Sequence, residues 1–275
     1  MAPWQALAVP ELPTSSLAKK GTSFVLILFR NDVSPYCVRE CAISFSRKRL
    51  LTQHTERLLI DTIQTMTIKE RYDGCLSIWR RQMPNPETEL HYNSPFQLLI
   101  AVMLSAQCTD KRINMVTPAF FKAFPSPHEL AEASVDDVFT LIKSVSYPNS
   151  KAKHLVEMAK MLVGQFKGDV PDGREALMSL PGVGRKTANV VLAQAFHKNT
   201  IAVDTHVFRV ANRIGLAKGK TPMEVEKKLS RHIKPEEQSK AHHWILLHGR
   251  YTCKAKRPDC LNCAVAPFCA SWHEK

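Results

Sequence analysis

The sequence predicts an all-α protein of one large or two modest domains. From residue 67 onward, apolar residues recur at helical spacing in one segment after another, and short connections with Pro, Gly, Asn or Ser separate the segments. No pair of alternating, strand-like runs with a tight turn stands out, and no repeat of fixed period is seen. With 275 residues, of which 44% are hydrophobic, the chain can bury a sizeable core.

The charge of the chain favours a polyanionic partner. Lys and Arg number 38 against 25 Asp and Glu, which gives a formal net charge of +13. Such a charge destabilises a compact state by self-repulsion, so binding to nucleic acid explains it more simply than a solvated basic surface does. No run of about 18 apolar residues is present, so we expect no segment that spans a membrane.

Residues 1–65 differ from the rest of the chain. They contain four prolines and a mixture of basic and acidic residues, without a sustained hydrophobic period. The simplest interpretation is a poorly ordered extension. Two alternatives stay open: Met66 is the true first residue, or the stretch is a targeting segment, although its acidic residues argue against targeting.

The predicted helices follow in order after this extension. Tyr72, Cys75, Leu76 and Trp79 form the apolar face of the first helix, and Ser94 suits the N-cap of the second. The helical segments are predicted over residues 67–82, 94–107, 126–145, 149–166, 172–180, 185–196, 205–216, 221–233 and 238–253.

The stretch LPGVG at residues 180–184 predicts a tight hairpin between two of these helices. Asp172 and Glu175, three residues apart, resemble a capping box at the start of the first helix, and Pro181 ends that helix. Gly182 and Gly184 permit a positive φ and leave the backbone open to close approach.

The hairpin also predicts an anion site. We expect the amides of Val183, Gly184 and Arg185 to point outward at the start of the second helix. Outward amides and the helix dipole together would bind an anion such as a DNA phosphate.

Lys186 lies in the first turn of the second helix, where a positive charge is unfavourable. Arg185 and the positive end of the helix dipole both disfavour the ammonium form. A neutral amine is a nucleophile for a carbonyl-like sugar carbon, whereas an ammonium ion would grip a phosphate, and the residues alone leave both roles open. Asp204, just before another helix, suits an N-cap, and its carboxylate could also stabilise a developing positive charge.

Four of the eight cysteines lie close together, at Cys253, Cys260, Cys263 and Cys269. Without an export signal, such a group indicates metal ligands in a reducing compartment rather than disulfides. A tetrahedral zinc ion would satisfy four thiolates, and so would a cubane iron–sulfur cluster. The spacing alone does not decide between the two, and a disulfide pair is a third option.

These motifs together resemble the endonuclease III family of base-excision DNA glycosylases. LPGVGRKTANVVL is similar to the helix-hairpin-helix of that family, and the resemblance covers roughly residues 68–271. It includes SPFQLLIAVMLSAQCTDKRIN, IAVDTHVFRVANRIGL and HHWILLHGRYTCKAKRPDCLNCAVAPFC. It implies a two-lobed helix-hairpin-helix glycosylase fold. One lobe would be residues 90–200, with the hairpin unit at 172–196, and the other would be residues 68–89 with 201–275, including a C-terminal cluster loop at 253–269.

The resemblance also implies an activity. The family implies a bifunctional glycosylase and abasic-site lyase that removes oxidised pyrimidines and cleaves the strand on the 3′ side by β-elimination. Lys186 matches the lysine that forms a Schiff base with C1′ of the sugar, and Asp204 matches the catalytic aspartate. Gln107 matches the glutamine that fills the space of the extruded nucleotide. The spacing C-x6-C-x2-C-x5-C is the family's [4Fe–4S] pattern, with a structural and DNA-positioning role.

Further contacts to DNA are expected outside the catalytic pair. A second wedge would come from Val145 to Tyr147, where the match is looser because Ser146 replaces the usual Gly and Pro148 an aromatic residue. Lys151 beside it would hold a phosphate or stay solvated. Three basic residues between the first two cysteines are expected to face the phosphate backbone: Lys254, Lys256 and Arg257.

We therefore expect a monomer whose partner is double-stranded DNA with damaged bases or abasic sites. Its location would be the bacterial cytoplasm at the nucleoid, or the nucleus or mitochondrion of a eukaryote. A monofunctional mispair glycosylase is one alternative, but that branch lacks the lysine that Lys186 matches. A non-catalytic helix-hairpin-helix DNA-binding protein is another, and it would need no Lys186–Asp204 pair.

Overall fold

The computed structural model describes residues 65–272, and within this range every regular element is a helix. The all-α prediction is therefore confirmed for the described part of the chain. The predicted N-terminal extension lies outside the described residues except for Thr65, and so do residues 273–275. Among the described helices, none combines the length and the hydropathy that crossing a lipid bilayer requires.

The helices are numbered here in chain order. They are α1 (Ile68–Gln82), α2 (Pro95–Ser105), α3 (Asp110–Ala123), α4 (Pro127–Glu132), α5 (Val135–Ile142), α6 (Pro148–Phe166), α7 (Arg174–Ser179), α8 (Arg185–Ala195), α9 (Thr205–Ile214), α10 (Pro222–His232) and α11 (Gln238–Tyr251). Short 3₁₀ turns occur at Pro235–Glu237 and Ala266–Phe268.

Two helical regions differ from the sequence prediction. The prediction has no helix where α3 lies, and α3 contains Pro118, a residue that usually ends a helix. Pro118 removes one backbone hydrogen bond, but Ile113 and Phe120 of α3 are fully buried and hold the helix to its neighbours. The segment predicted over 126–145 is two helices, because Ser134 accepts a hydrogen bond from the amide of Asp137 and starts α5.

The predicted helix starts are correct in two places and wrong in one. Ser94 caps α2 by accepting from the Gln97 amide at 3.2 Å, and Asp204 caps α9. The capping box at Asp172 is wrong, because α7 begins one residue later, after Gly173, and its start has no side-chain cap. The Asp172 carboxylate instead pairs with Lys198, at 2.8 Å from its Nζ.

Two separate hydrophobic cores divide the described residues into two lobes. The first core is built from Leu90 to Leu192, with helices α2 to α8 around it. The second combines α1 with buried residues from Ile201 to Val265. The two-lobed architecture is therefore confirmed. The lobe boundaries at residues 90 and 200 stay a prediction, which the two cores support.

Helix α2 is the centre of the first lobe. Leu98, Leu99, Ile100 and Ala101 are all fully buried, so apolar side chains surround the helix on every side. Helices α3, α6 and α8 all pack against α2. This packing fixes the direction of α8, the second helix of the hairpin unit, and with it the position of its exposed first turn.

The hairpin depends on one of its two glycines more than on the other. Gly182 has a φ of +78°, and a Cβ there would lie 2.9 Å from the Cβ of His154. Gly184 has a φ of −90° and open space around its α-carbon, so it does not use the positive φ that both glycines permit. The turn is closed by the Val183 amide, which donates to the Leu180 carbonyl at 3.1 Å.

We predict that Gly182→Ala lowers the free energy of unfolding by about 3 kcal/mol, because it adds left-handed backbone strain and a steric clash. Gly184→Ala is the matched control and should change that free energy by less than about 0.5 kcal/mol. Urea denaturation followed by circular dichroism measures both values. Equal destabilisation by the two variants would contradict this account of the hairpin.

Candidate active site

Lys186 and Asp204 meet at the junction of the two lobes. The Lys186 Nζ lies 3.9 Å from the Asp204 Oδ2, and the lysine side chain is 52% exposed whereas the aspartate side chain is 11% exposed. The other carboxylate oxygen, Oδ1, accepts a hydrogen bond from the Val207 amide at 2.7 Å. Asp204 is thus an N-cap through one oxygen and faces an amine with the other, so the two roles considered for it are compatible.

The extended segment before Asp204 is held from both lobes. Thr200 Oγ1 donates to the Asn189 carbonyl of α8 at 2.8 Å, and the Asn189 side-chain amide donates to the Ile201 carbonyl at 3.2 Å. His242 of α11 binds the Ala202 carbonyl at 2.8 Å through Nδ1. Since a carbonyl can only accept, this Nδ1 carries the proton. These bonds fix the position from which Asp204 reaches the amine.

Two adjacent histidines near this segment are uncharged at neutral pH. Burial lowers the pKa of His242, although the nearby Asp204 acts in the opposite direction. Burial also lowers the pKa of His243, to about 3, with a smaller contribution from His242. The amide of Gln194 lies 2.9 Å from the His243 Nε2. Neither imidazole therefore competes as a cation with Lys186 for the Asp204 carboxylate.

A cleft of about 400 Å³ opens beside the catalytic pair. Lys186, Asp204 and Gln107 all line it, so three of the predicted site residues are brought together. Tyr147 and the three basic residues of the cysteine loop are not among the described residues that line this cleft.

An ion-pair cluster on the cleft wall is absent from the sequence prediction. Arg250 of α11 donates to Asp110 Oδ2 at 2.9 Å and also binds Glu89. It thereby links the start of α3, in the first lobe, to α11, in the second. The residues lie 140 or more positions apart in sequence, so no local pattern could have indicated their contact.

Arg185 is held by a carboxylate of the other lobe. Its guanidinium donates to Glu226 of α10, with Nη2 2.7 Å from Oε1 and Nε 2.9 Å from Oε2. Glu226 therefore offsets the positive charge that was expected to disfavour an ammonium form at Lys186. A phosphate contact by the Arg185 side chain stays a prediction, and it would require the guanidinium to leave Glu226.

The anion site expected at the hairpin is smaller than predicted. The Val183 side chain is buried and its amide is used inside the turn, so the expectation that this amide points outward is wrong. Helix α8 begins at Gly184 without a side-chain cap. The amides of Gly184 and of the first turn of α8, from Arg185 on, are therefore the donors that remain for an anion.

Two exposed side chains stand where the wedges are predicted. Gln107 and Tyr147 are both exposed, and both have a left-handed backbone, with φ of 56° and 55°. The Ser146 hydroxyl donates to the Gln107 carbonyl at 2.7 Å and joins the two loops. Val145 is only 3% exposed and packs in the first core, so its inclusion in the wedge is wrong.

Lys151 has a contact that the sequence prediction did not contain. Its Nζ donates to the carbonyls of Leu104 and Ala106, each at 2.7 Å, at the end of α2. Burial of the ammonium group lowers the pKa of Lys151 below its ordinary value. In the structure, two carbonyls of the protein therefore bind the ammonium group of Lys151, and a phosphate contact by this residue stays a prediction.

The four loop cysteines are half-buried at the edge of the second lobe. Cys253, Cys263 and Cys269 pack against its core. Three exposed basic side chains project from the same loop: Lys254, Lys256 and Arg257.

Two arginines of α9 hold the backbone of this loop. Arg213 donates to the carbonyls of Lys254, at 2.7 Å, and Ala255, at 3.0 Å. Arg209 donates to the Cys253 carbonyl at 3.1 Å. The loop is therefore fixed by the helix that Asp204 caps.

The loop offers four thiols, which is the donor set that an iron–sulfur cluster requires. Burial raises the pKa of the Cys263 thiol to about 11, and the other three thiols add to this effect. A cationic group beside the Cys263 thiol would favour its ionised form. Among residues 65–272, no three His, Cys, Asp or Glu side chains are gathered as around one metal ion. The donors thus fit a cubane cluster in number and type.

Comparisons with known proteins agree with this geometry. Residues 100–235 match the HhH-GPD superfamily of base excision DNA repair proteins. The chain is 49% identical to endonuclease III of Rickettsia conorii over 192 residues, which is 70% of this chain and 91% of that protein. It is 48% identical to endonuclease III of Escherichia coli K12 over 190 residues, or 69% of this chain and 90% of that protein.

Solved structures give the same result. A trapped endonuclease III–DNA covalent intermediate, in an estranged-adenine complex, superimposes with a TM-score of 0.73 at 40% identity, over 76% of this chain and 99% of that one. A thermostable thymine-DNA glycosylase superimposes with a TM-score of 0.65 at 20% identity, over 82% of this chain and 99% of that one. The second likeness supports the fold alone.

The buried histidine at 243 predicts a pH dependence of stability. The unfolded chain takes up a proton at His243 near pH 6.5, whereas the folded chain does so only near 3. Between these values the unfolded state binds more protons, so stability falls as the pH falls, by up to about 1.4 kcal/mol per pH unit. In urea denaturation at several pH values, His243→Gln should show a shallower loss than the unchanged protein. Parallel curves for the two proteins would exclude this origin of acid instability.

Proposed function

Because this chain belongs to the endonuclease III family of base excision DNA repair proteins, and is thus a DNA glycosylase and abasic-site lyase, we propose that Lys186 and Asp204 carry out its chemistry on oxidised pyrimidines in duplex DNA. The observation that carries the proposal is the position of the pair. An amine and a carboxylate from different lobes lie 3.9 Å apart on one cleft.

The target nucleotide has to leave the base stack before it can reach that cleft. An enzyme that acts on a base inside a duplex extrudes the nucleotide into its active site and fills the space left behind. Gln107 lines the cleft and is exposed, which suits it to fill that space. Tyr147, with 64% of its surface exposed, is suited to wedge into the duplex nearby.

Asp204 would act first on the extruded nucleotide. As the bond between C1′ and the base breaks, positive charge develops on the sugar. A fixed carboxylate stabilises that charge without reorganisation during the reaction. The hydrogen bond from Val207 to Oδ1 keeps the carboxylate in place and leaves Oδ2 directed at the reacting side.

Lys186 would then attack C1′ as a neutral amine. Its proton passes to water or to Asp204, and the nitrogen lone pair forms the C1′–N bond as the base departs with the electron pair of the glycosidic bond. Ring opening gives a Schiff base. Loss of a proton from C2′ and expulsion of the 3′ phosphate complete β-elimination, and hydrolysis of the imine then frees Lys186.

The alternatives are less consistent with this site. A protein that only binds DNA needs no amine facing a carboxylate on a cleft. A glycosylase without lyase activity needs no exposed lysine at position 186. Lys186 is half-exposed and within reach of a ligand in the cleft, which favours a nucleophile over a lysine that only stabilises the fold.

Binding to the DNA backbone would use two surfaces. The first-turn amides of α8 would hold a phosphate close to Lys186. The exposed side chains of Lys254, Lys256 and Arg257 would neutralise further phosphates and make binding salt-dependent. The expected monomeric state stays a prediction. The bacterial origin of the relatives supports action at the nucleoid of a bacterial cytoplasm.

We also propose a [4Fe–4S] cluster on Cys253, Cys260, Cys263 and Cys269. When bound, such a cluster would join four points of one loop and hold its basic residues in a fixed array. Arg209 and Arg213 already fix the backbone at the start of the loop. The role of the cluster is thus to stabilise the loop, and the chemical steps above do not involve it.

Covalent trapping tests the proposed nucleophile. With borohydride and DNA that contains an abasic site, the unchanged protein should form a stable adduct, and Lys186→Gln should form none, because the reducible imine requires the amine. Lys198→Gln is the control, since Lys198 is also a half-exposed lysine paired with a carboxylate. An adduct that persists in Lys186→Gln would assign the nucleophile to another residue.

Asp204→Asn separates the two roles of the aspartate in the same assay. Asparagine caps a helix about as well as aspartate does, so the melting temperature should be retained. The rate of base release should fall roughly 10²- to 10³-fold with the loss of the negative charge. A variant with full activity would leave Asp204 as an N-cap only.

Metal analysis tests the cluster. The purified protein should contain iron and acid-labile sulfide in equal amounts, and Cys260→Ala should lose both, because the cluster needs all four thiolates. Cys108→Ala changes a half-buried cysteine outside the loop and should retain them. Zinc in place of iron would reject the assignment.

A further inference from the structure

The two exposed wedge residues stand on loops that a third residue connects. Gln107 follows the end of α2, and Tyr147 precedes the start of α6. Both residues lie outside the helices. Each has a left-handed backbone conformation, which is unfavourable for residues other than glycine. Contacts from outside these residues are therefore needed to hold both side chains in one position.

Lys151 contacts both loops. Its backbone amide donates to the Tyr147 carbonyl at 3.1 Å, in the first turn of α6. Its ammonium group donates to the carbonyls of Leu104 and Ala106, which lie three residues and one residue before Gln107. The last carbonyls of a helix lack partners within it, and a cation there is favoured by the helix dipole. One residue thus completes the end of α2 and ties it to the start of α6.

Ser146 and Pro148 reinforce this connection from the Tyr147 side. The Ser146 hydroxyl donates to the Gln107 carbonyl at 2.7 Å. Pro148 is the first residue of α6, where its fixed φ suits the start of a helix. Both residues occupy positions where the sequence departs from the family pattern, so the connection has a form particular to this chain.

We propose that Lys151 is a positioning residue that holds Gln107 and Tyr147 at a fixed separation before DNA is bound. This inference rests on the proposed function, in which both side chains enter the duplex. If the two side chains became ordered only on binding, the lost conformational entropy would destabilise the complex with the extruded nucleotide. A preformed arrangement avoids that loss. Lys151 does not touch the reacting atoms, so its effect is confined to steps in which the duplex is opened.

This role differs measurably from a phosphate contact. A lysine that neutralises a phosphate releases counterions, so its loss lowers the slope of log K against log salt concentration by about one unit. A lysine that binds two carbonyls of its own chain leaves this slope unchanged. The salt dependence of binding therefore discriminates between the two roles of Lys151.

The test compares two substrates of one variant. Under single turnover, Lys151→Met should release a damaged base from duplex DNA about tenfold more slowly, since each wedge side chain must then be ordered on binding. Its cleavage of an abasic site in single-stranded DNA should stay within about twofold of the unchanged protein, because no duplex is opened there. Borohydride trapping gives the active fraction, so partial unfolding does not affect the comparison.

Three further variants complete the experiment. Lys153→Met removes an exposed lysine two residues away and should leave both rates unchanged. Lys151→Arg keeps the charge and the donors and should recover most of the duplex rate. Ser146→Gly removes the second connection and should also slow the duplex reaction. In the double variant, Ser146→Gly with Lys151→Met, the fold reduction in rate should differ from the product of the two single reductions.

The outcomes are distinct. If the unchanged protein neither releases a base nor cleaves an abasic site, the proposed function fails. If it is active and Lys151→Met slows both substrates equally, or lowers the salt slope, the positioning role is overturned while the proposed function stands. A selective loss on duplex DNA, with recovery in Lys151→Arg and an unchanged salt slope, supports the positioning role.

Discussion

The approach of Lys186 to Asp204 is the contact on which the rest of the site depends, because α8, which carries Lys186, packs in one hydrophobic core, whereas α9, which Asp204 caps, packs in the other. The amine is set by the packing of α8 against α2, whereas the carboxylate is set by the start of α9. Residues 196–204 connect α8 of the first lobe to α9 of the second, and two of them, Ile201 and Ala202, are held from both sides. Their carbonyls are bound by Asn189 on one side and His242 on the other, so a short connection acquires a fixed shape without belonging to a sheet or helix.

The two histidines near this charged pair are neutral, and their neutrality has an electrostatic consequence. A charged imidazole next to Asp204 would attract the carboxylate away from the lysine, but burial keeps His242 and His243 uncharged. Arg185 is adjacent to Lys186 in sequence, yet Glu226 offsets its charge from the other lobe. The strongly basic character of the protein is thus reduced near the reacting amine, while it remains on the exposed cysteine loop.

Patterns that are local in sequence predicted the helices and two of their caps, and the family resemblance implied the Lys186–Asp204 pair, whereas contacts between distant residues could not be predicted in either way. Helical spacing and the N-caps Ser94 and Asp204 depend on a few neighbouring residues, and both were correct. The binding of Lys151 to the end of α2 joins positions about 45 residues apart, and a solvated lysine has the same sequence pattern. Likewise, α3 forms despite Pro118, because tertiary packing outweighs the low helix propensity of proline.

The positions of the functional side chains along α9 restrict insertions and deletions in this helix. Its first turn is capped by Asp204, and its later turns carry Arg209 and Arg213, whose guanidinium groups hold the cysteine loop. Inserting or deleting a single residue of this helix before Arg209 would rotate everything beyond it by about 100°. Both arginines would then turn away from the carbonyls they bind, even though the carboxylate kept its place. We therefore expect the length of α9 to vary far less than its exposed side chains. A single inserted or deleted residue there would break the contacts of both arginines with the cysteine loop while Asp204 stayed in place.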